Sequence, residues 1–377
     1  MKISRAIKQV ILLIVYQLLQ MQAYAQEYNY YYGNIHAHTS YSDGCKDEET
    51  TGVRTPAQAF AFAKQSEHLD FLGISEHNHS KAGMDLPNYH RGVEQAAQAN
   101  EDGGFACIYG MEYGTVAQGH ILIYGMPQLM NWETDNTDMH TRKGDYNQIW
   151  ELLADCNHCF VTLAHPKQAN FNDLLYEPYN EQADAIICGV AVRNGPHSSH
   201  SVNYDEPPSG SYYGYYKSLL AAGYKVGPTI DHDNHYTTFG RTSQGRTVIL
   251  AKNLTQNEIT AAYKAMRFYA TDDWNTQVRY TINEQAMGSS LKKGEVELEV
   301  SVEDPDLDDA IETVKVMYGY VGSGEEAKTF IHETEPEFRY TIEILPGENL
   351  YFFLEITQRD KDKIITAPIW VKGNNVP

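Results

Sequence analysis

Basic residues are scarce. The chain of 377 residues carries 29 lysines and arginines against 50 aspartates and glutamates, a formal charge of −21. A polyanion such as DNA would be repelled over most of that surface, and no local basic patch interrupts it. Nucleic acid is therefore not an expected partner. Cysteine is sparse too: Cys45, Cys107, Cys156, Cys159 and Cys188 are too few for a disulfide scaffold. Cys156 and Cys159 have the spacing of a local disulfide in an oxidising compartment, or of a redox pair. Without a second CxxC, a structural zinc site has little support. Past the first 25 residues no apolar run approaches the ~20 residues of a membrane span, and repeats, long linkers and low-complexity tracts are missing.

Residues 1–25 read as a secretory leader. Lys2, Arg5 and Lys8 form a positive start, Val10 to Leu19 a short apolar run, and Ala23-Tyr24-Ala25 a small-x-small cleavage pattern. Cys45 lies too far downstream for lipid attachment. The expectation is an exported protein of a bacterial periplasm or exterior, beginning at Gln26.

What the chain does have is imidazole and carboxylate in an ordered series of short motifs. His36-Ala37-His38, Ser42-Asp43-Gly44, Glu76-His77, Gly110-Met111-Glu112, Gly119-His120, Ala164-His165-Pro166 and Asp233-Asn234-His235 follow one another. They supply nine candidate metal ligands: His36, His38, Asp43, His77, Glu112, His120, His165, Asp233 and His235. Any one alone reads as a surface or hydrogen-bonded residue. Together they are the borderline-to-hard donors that Zn, Mn and Fe accept, and no packing requirement asks for them.

From residue 30 to about 270, short apolar runs alternate with helix-like segments. Strands are expected before His36 and over Asp70–Ser75, Cys107–Glu112, His120–Tyr124, Phe160–Leu163, Ala185–Val192, Val226–Ile230 and Thr247–Leu250. Thr55-Pro56 opens a helix with an N-cap and proline at N1. Further helices are expected near Asn147–Asp155, Tyr216–Ala222 and Thr255–Arg267. The alternation predicts an α/β fold with a largely parallel sheet. Most candidate ligands close an apolar run, and groups at strand carboxyl ends converge on one face. After about residue 290 the period changes to two, as in Val296-Glu297-Leu298-Glu299-Val300-Ser301-Val302, which predicts a small antiparallel β-sandwich. The expected division is a leader over 1–25, a catalytic domain over 26–290 and a sandwich over 291–377.

The motif series resembles the PHP (polymerase and histidinol phosphatase) superfamily of metal-dependent phosphoesterases. The resemblance spans roughly residues 30–270. It implies a distorted (β/α)7 barrel holding up to three metals. The leader, the C-terminal strands, Arg246-Thr247-Val248-Ile249, Met287-Gly288-Ser289 and Ala367-Pro368-Ile369-Trp370-Val371 are similar to the CehA/McbA-like branch, whose named members hydrolyse a carbamate ester. Carried over by motif, His36, His38, Glu112 and Asp233 would hold one ion. Glu112 would bridge to a second, completed by His120 and His165, and Asp43, His77 and His235 would hold a third. The chain departs from the family pattern at Asn34 and Glu76, neither of them an expected ligand, and at Ala191, which replaces a Glu and bears on substrate contacts. Asp231 and Asp233 compete for one position, and Asp233 keeps the DxH spacing.

The expected chemistry is metal-assisted hydrolysis of a small-molecule ester, with two or three divalent ions (Mn, Zn or Fe) activating water. A phosphomonoester or phosphodiester leads as substrate. A carboxyl or carbamate ester uses the same site, and a metal-stabilised glycan- or partner-binding protein is the non-catalytic alternative. Lys167, Arg193 and Arg241 are phosphate-binding candidates or ordinary surface charges. His79, two residues past His77, is a candidate general acid. The 28 tyrosines, among them Tyr30-Tyr31-Tyr32 and Tyr212-Tyr213, either stack on substrate rings or fill packing contacts.

Overall fold

The computed structural model describes residues 28–306 and 309–374. The leader read over 1–25 lies outside them. The strands that carry the motif series are β1 (Asn29–Asn34), β2 (Phe71–His77), β3 (Ala106–Thr115), β4 (Gly119–Tyr124) and β5 (Phe160–Ala164). β6 (Ile187–Asn194), β7 (Gly227–Asp231), β8 (Arg246–Ala251) and β9 (Phe268–Thr271) follow. They form one sheet in the order β9-β8-β1-β2-β3-β4-β5-β6-β7.

This sheet corrects the expected (β/α)7 barrel. β1–β2, β2–β3, β5–β6 and β6–β7 pair in parallel, but β1–β8, β8–β9, β3–β4 and β4–β5 pair antiparallel. Backbone pairing runs out at β7, which meets β8 through the Thr247 hydroxyl rather than a ladder, so among the described residues the paired path does not close. The reason is local at β3: residues 116–118 join it to β4 as a tight turn, with no room for the crossover helix that a parallel neighbour requires.

The longer of the remaining strands are β10 (Gln277–Ile282), β11 (Ser290–Lys292), β12 (Glu295–Glu303), β13 (Ile311–Tyr320) and β14 (Lys328–Glu333). They are followed by β15 (Glu337–Glu343), β16 (Asn349–Gln358), β17 (Lys363–Thr366) and β18 (Ile369–Lys372). β17 pairs with β9, and β16 with β13, β17 and β18, so the first sheet grows to 15 mixed strands. A second sheet has β12 between β10 and β15. The two face each other across a core that includes Val278, Leu298, Val300, Val316, Phe352 and Ile369. The expected separate sandwich is thereby corrected as well. Its strands are layered and antiparallel apart from the parallel β11–β18 pair, but one layer is the site sheet continued, and Tyr32 and Val248 of β1 and β8 lie in the same core. On β12, Val296, Leu298, Val300 and Val302 are buried while Glu295, Glu297 and Glu303 are exposed. Each buried aliphatic side chain contributes about 1.5–3 kcal/mol.

Helices cover part of the sheet. α1 (Pro56–Ala63) starts at Thr55, whose side chain accepts from Gln58 N in a reciprocal capping box. It buries Pro56, Ala59, Phe60 and Ala63, one stripe at helical spacing. α2 (Leu86–Ala99) packs on α1 and β3, capped by Asp85. α3 (Tyr146–Leu153), α4 (Tyr213–Ala222) and α5 (Gln256–Lys264) follow. Cys156 and Cys159, just after α3, are bonded to each other, while Cys45, Cys107 and Cys188 are buried thiols. Many tyrosines serve packing: Tyr113, Tyr124, Tyr146 and Tyr216 are buried, and Tyr32 donates to the Asn275 carbonyl at 2.9 Å.

Candidate metal centre

The ligand candidates meet because of strand register. His77 on β2 is the pairing partner of Glu112 on β3. His120 is the second residue of β4, and the reversal at 116–118 brings it to the same end of the sheet as Glu112. His36 and His38 lie just past β1, held against the 231–235 segment by Asp233 N donating to His36 O (2.9 Å) and His38 N donating to Asn234 O (3.2 Å). Asn34 ties the same seam: its Oδ1 accepts from His232 N at 2.9 Å. Asp43 comes from a loop folded back on Thr39. Ser42 N and Gly44 N both donate to Thr39 O, and a Cβ at Gly44 would stand 2.2 Å from the His38 carbonyl. Only glycine fits there.

Glu112, 1% exposed, is the hub. Its Oε1 lies 2.8 Å from His120 Nδ1, 3.1 Å from His165 Nε2 and 3.4 Å from His36 Nε2. Its Oε2 lies 3.2 Å from His77 Nδ1 and 3.3 Å from His38 Nε2. Asp233 Oδ1 is 3.2 Å from both His36 Nε2 and His38 Nε2. Asp43 Oδ1 is 3.4 Å from His235 Nε2 and 3.7 Å from His77 Nε2. All nine predicted ligands are thus gathered. Within this cluster, groups that could hold an ion include His36, His38, Glu112 and Asp233; His77, Glu112 and His120; and His38, His77 and His235. The first matches the assignment carried over by motif. In the second, His77 takes the place expected of His165, and in the third, His38 that of Asp43.

These buried groups could hold several metal ions, and their orphaned atoms fit that use. His36 Nε2, His77 Nδ1, His120 Nδ1 and Glu112 Oε2 are buried without a hydrogen-bond partner despite the short contacts above. Donor atoms bound at about 2.0–2.2 Å to one ion sit about 2.8–3.6 Å apart, with their lone pairs aimed at the ion rather than at each other. The contacts among these atoms fall in that range, at angles unsuited to hydrogen bonds.

Charge is organised accordingly. Burial works against the ionised Glu112, yet His120, His77 and His36 hold it well below the usual carboxylate range. Asp233 is likewise held low by His36 and His38 against its burial. Burial pulls on His36 and His38, but Asp233 and Glu112 outweigh it and carry His38 up to about 10. Burial takes His77 down to about 3.

Sequence reasoning missed the residues behind the ligands. Asp231, set aside in favour of Asp233, places its Oδ2 3.3 Å from His36 Nδ1, leaving Nε2 to face the site. Asn194 Nδ2 donates to Asp233 Oδ2 at 2.9 Å, and His235 Nδ1 lies 2.8 Å from Asp233 O. Glu76 accepts from Thr39 N at 3.1 Å and from the hydroxyls of Thr39 and Ser42, pinning the Asp43 loop. Partners of this kind fix ring orientation and tautomer. The DHDNH run was the available signal for Asp231. His165 and Asp233 have φ of 30° and 54°, backbone strain of about 1–3 kcal/mol each, which the surrounding structure must hold.

The proposed substrate-side residues lie differently. His79 caps a turn, its Nδ1 accepting from Ala82 N at 3.3 Å, with its ring 5.9 Å from that of His77. Burial lowers its pKa, so it is neutral near pH 7. Lys167 is exposed beside His165. Arg193 gives its fork to Asp272, at 3.1 and 2.9 Å. Arg241 donates to Ser66 and Phe62 and stacks on the Phe62 ring, outside the cluster. A cavity of about 770 Å³ elsewhere on the molecule contains none of the nine donors and is lined mainly by apolar parts of α2, α5 and nearby loops. The donor chemistry, rather than cavity size, locates the site.

No family model and no curated protein matches the chain. Among solved structures, 26% of the chain is similar to 80% of a superoxide reductase (neelaredoxin) from Ignicoccus hospitalis, at 12% identity and a TM-score of 0.20. The same share is similar to all of a fibronectin(III)-like module of CbhA from Clostridium thermocellum, at 20% identity and TM-score 0.19. An engineered protein covers 80% of the chain over 49% of its own length, at 10% identity and TM-score 0.21.

Proposed function

We propose that this chain is an exported, metal-dependent ester hydrolase, with a phosphomonoester or phosphodiester as the leading substrate class. The observation that carries the proposal is Glu112: one buried carboxylate reached by five imidazole nitrogens at 2.8–3.4 Å, several of them with no hydrogen-bond partner. A structural site closes on four ligands, whereas a carboxylate shared between donor groups suits catalysis by neighbouring ions. The motif order of the PHP superfamily supports the same reading. The Cys156–Cys159 bond accords with export to an oxidising compartment.

Glu112 would be shared between ions, with His36, His38 and Asp233 on one side and His77 and His120 on the other. Divalent Zn, Mn or Fe held there would supply Lewis acidity toward an ester oxygen and a water acidic enough to react near neutral pH. The chain's own contribution is to orient that chemistry. Asp231 turns His36, Asn194 turns Asp233, and Glu76 fixes the loop carrying Asp43. His165 and His235, partly exposed, lie where the cluster opens to solvent. His79, its ring 5.9 Å from that of His77, would be neutral near pH 7 and so would take up a proton rather than serve as the expected general acid.

The test is turnover of nitrophenyl phosphate, bis-nitrophenyl phosphate and nitrophenyl acetate after loading with Mn or Zn, alongside metal analysis. Phosphoester turnover with two or three ions per chain is expected, and His36→Ala should lower it by at least ~100-fold. Turnover of the acetate alone would transfer the reading to acyl esters. Turnover indifferent to His36→Ala and Asp233→Ala would remove the catalytic assignment from this cluster.

A further inference from the structure

Three loops meet at the seam between the site sheet and the C-terminal layer, and they bring together oxygen donors that are not among the nine above. Asp273 follows β9, Asp304 and Asp309 follow β12, and Gln358 ends β16. One carboxylate oxygen from each of Asp273, Asp304 and Asp309 lies within 4.8 Å of the others. Two oxygens held by one calcium ion at about 2.3–2.6 Å are at most about 4.6–5.2 Å apart.

Acidic residues alone would not mark a site. Gln358 supplies the independent observation. It is fully buried, and its Nε2 donates to Asp304 Oδ2 at 2.5 Å and Thr276 Oγ1 at 3.3 Å, which sets the amide inside the cluster. Its Oε1 has no partner. Asn275, 8% exposed, repeats the pattern: Nδ2 donates to Asp306 Oδ2 at 3.0 Å and Oδ1 is buried and unpartnered. Asp309 Oδ1 is also buried without a partner. Asp273 uses Oδ2 to accept from Asn275 N, Thr276 N and the Thr276 hydroxyl, which fixes its carboxylate. Among the described residues no lysine or arginine forms an ion pair with Asp273, Asp304 or Asp309. Nearby cations are engaged elsewhere, Arg193 by Asp272 and Lys361 by Glu312.

We propose that this seam is a calcium site, with Asp273, Asp304, Asp309 and the amide oxygen of Gln358 as ligands. The donor set is all oxygen and mixes carboxylate with amide carbonyl, which suits Ca2+ and gives Zn2+ none of its nitrogen or sulfur. An irregular set from three loops also disfavours Mg2+, which demands a near-ideal octahedron. The ion would clip the second sheet to the first. It would also steady Asp272, and through it Arg193, beside the Asn194 that orients Asp233.

The test uses the full chain, first stripped of metal with EGTA and freed of the chelator, then loaded with zinc at its histidine cluster and titrated with Ca2+ alone in a calorimeter. One Ca2+ per chain is expected. Saturation at about 100 times Kd should raise Tm by about 5 °C, with Mg2+ far less effective. Asp309→Asn, at a half-buried loop position that leaves the core intact, should weaken binding at least tenfold, as should Asp304→Asn, while His36→Ala should leave it unchanged. Absence of calcium binding to the unaltered chain overturns the proposal. So does binding that survives both Asp variants, or binding that is lost in His36→Ala.

Discussion

Asp231 and Asp233 sit two residues apart, both buried, and do different work. Asp233 presents an oxygen to His36 and His38 from the site side, while Asp231 meets His36 from behind. Asp231→Asn should therefore keep the fold and the nine donors yet weaken metal binding by about 10–100-fold, since a neutral amide no longer holds the ring and its tautomer. Competition with a chromophoric chelator reads this directly, and unchanged affinity would remove Asp231 from its supporting role. The nine donors were legible in the sequence because imidazole and carboxylate in an ordered series have no packing explanation. Asp231, Asn194 and Glu76 were not, because a supporting residue is chosen by where register and loop closure place it. His77 shows the same limit: its two nitrogens face different groups, Nδ1 toward Glu112 and Nε2 toward Asp43, and no motif encodes that.

Strands were easier to read than their directions. The apolar runs of β1 to β8 stand close to where the sequence places them, but whether neighbours run parallel depends on which strand arrives beside which. The three residues after Thr115 were the local sign of a hairpin. α2 was overlooked because only Tyr89, Gly92 and Ala96 of its 14 residues are buried, too weak a stripe to stand out. At this scale Arg246 is the most consequential single side chain. Fully buried at the start of β8, its guanidinium donates to the carbonyls of Glu67, His68, Gly240, Ser243 and Gly245 at 2.9–3.1 Å. Burial lowers its pKa to about 10, so it stays charged near neutral pH. Arg246→Met should cost about 3–5 kcal/mol by leaving those carbonyls unpaired. Urea unfolding checks it, and a loss below ~1 kcal/mol would show that water replaces the guanidinium without penalty.

For the whole molecule, metal uptake and protonation are linked. In the metal-free cluster His38 is raised to about 10 and His36 well above its ordinary value, against their burial, by Asp233 and Glu112. A raised histidine contributes stability that is complete below about pH 6.5 and lost as pH climbs through the folded-state value. The depressed carboxylates act oppositely: Glu112 and Asp233 contribute above the usual carboxylate range and lose it in acid. Metal-free protein should therefore be destabilised by alkali as well as by acid. A metal needs the neutral imidazole, so loading at pH 7 should expel about two protons, and affinity should rise with pH. Calorimetry in buffers of differing ionisation enthalpy measures the release, and heats that do not vary with buffer would show His36 and His38 to be neutral beforehand.

The pairing of β1 with β8 sets a timetable for making the protein. His36 leaves the ribosome 195 residues ahead of Asp231, a gap of about 10–40 s at ordinary synthesis rates. During that interval β1 lacks the strand that covers one edge, and His36 and His38 lack the carboxylate of Asp233. Glu112 arrives within it and is briefly the only acid of the first donor group. A nascent chain that met metal then could bind it through an incomplete set of donors, so late loading, after β8 has docked, favours the native centre.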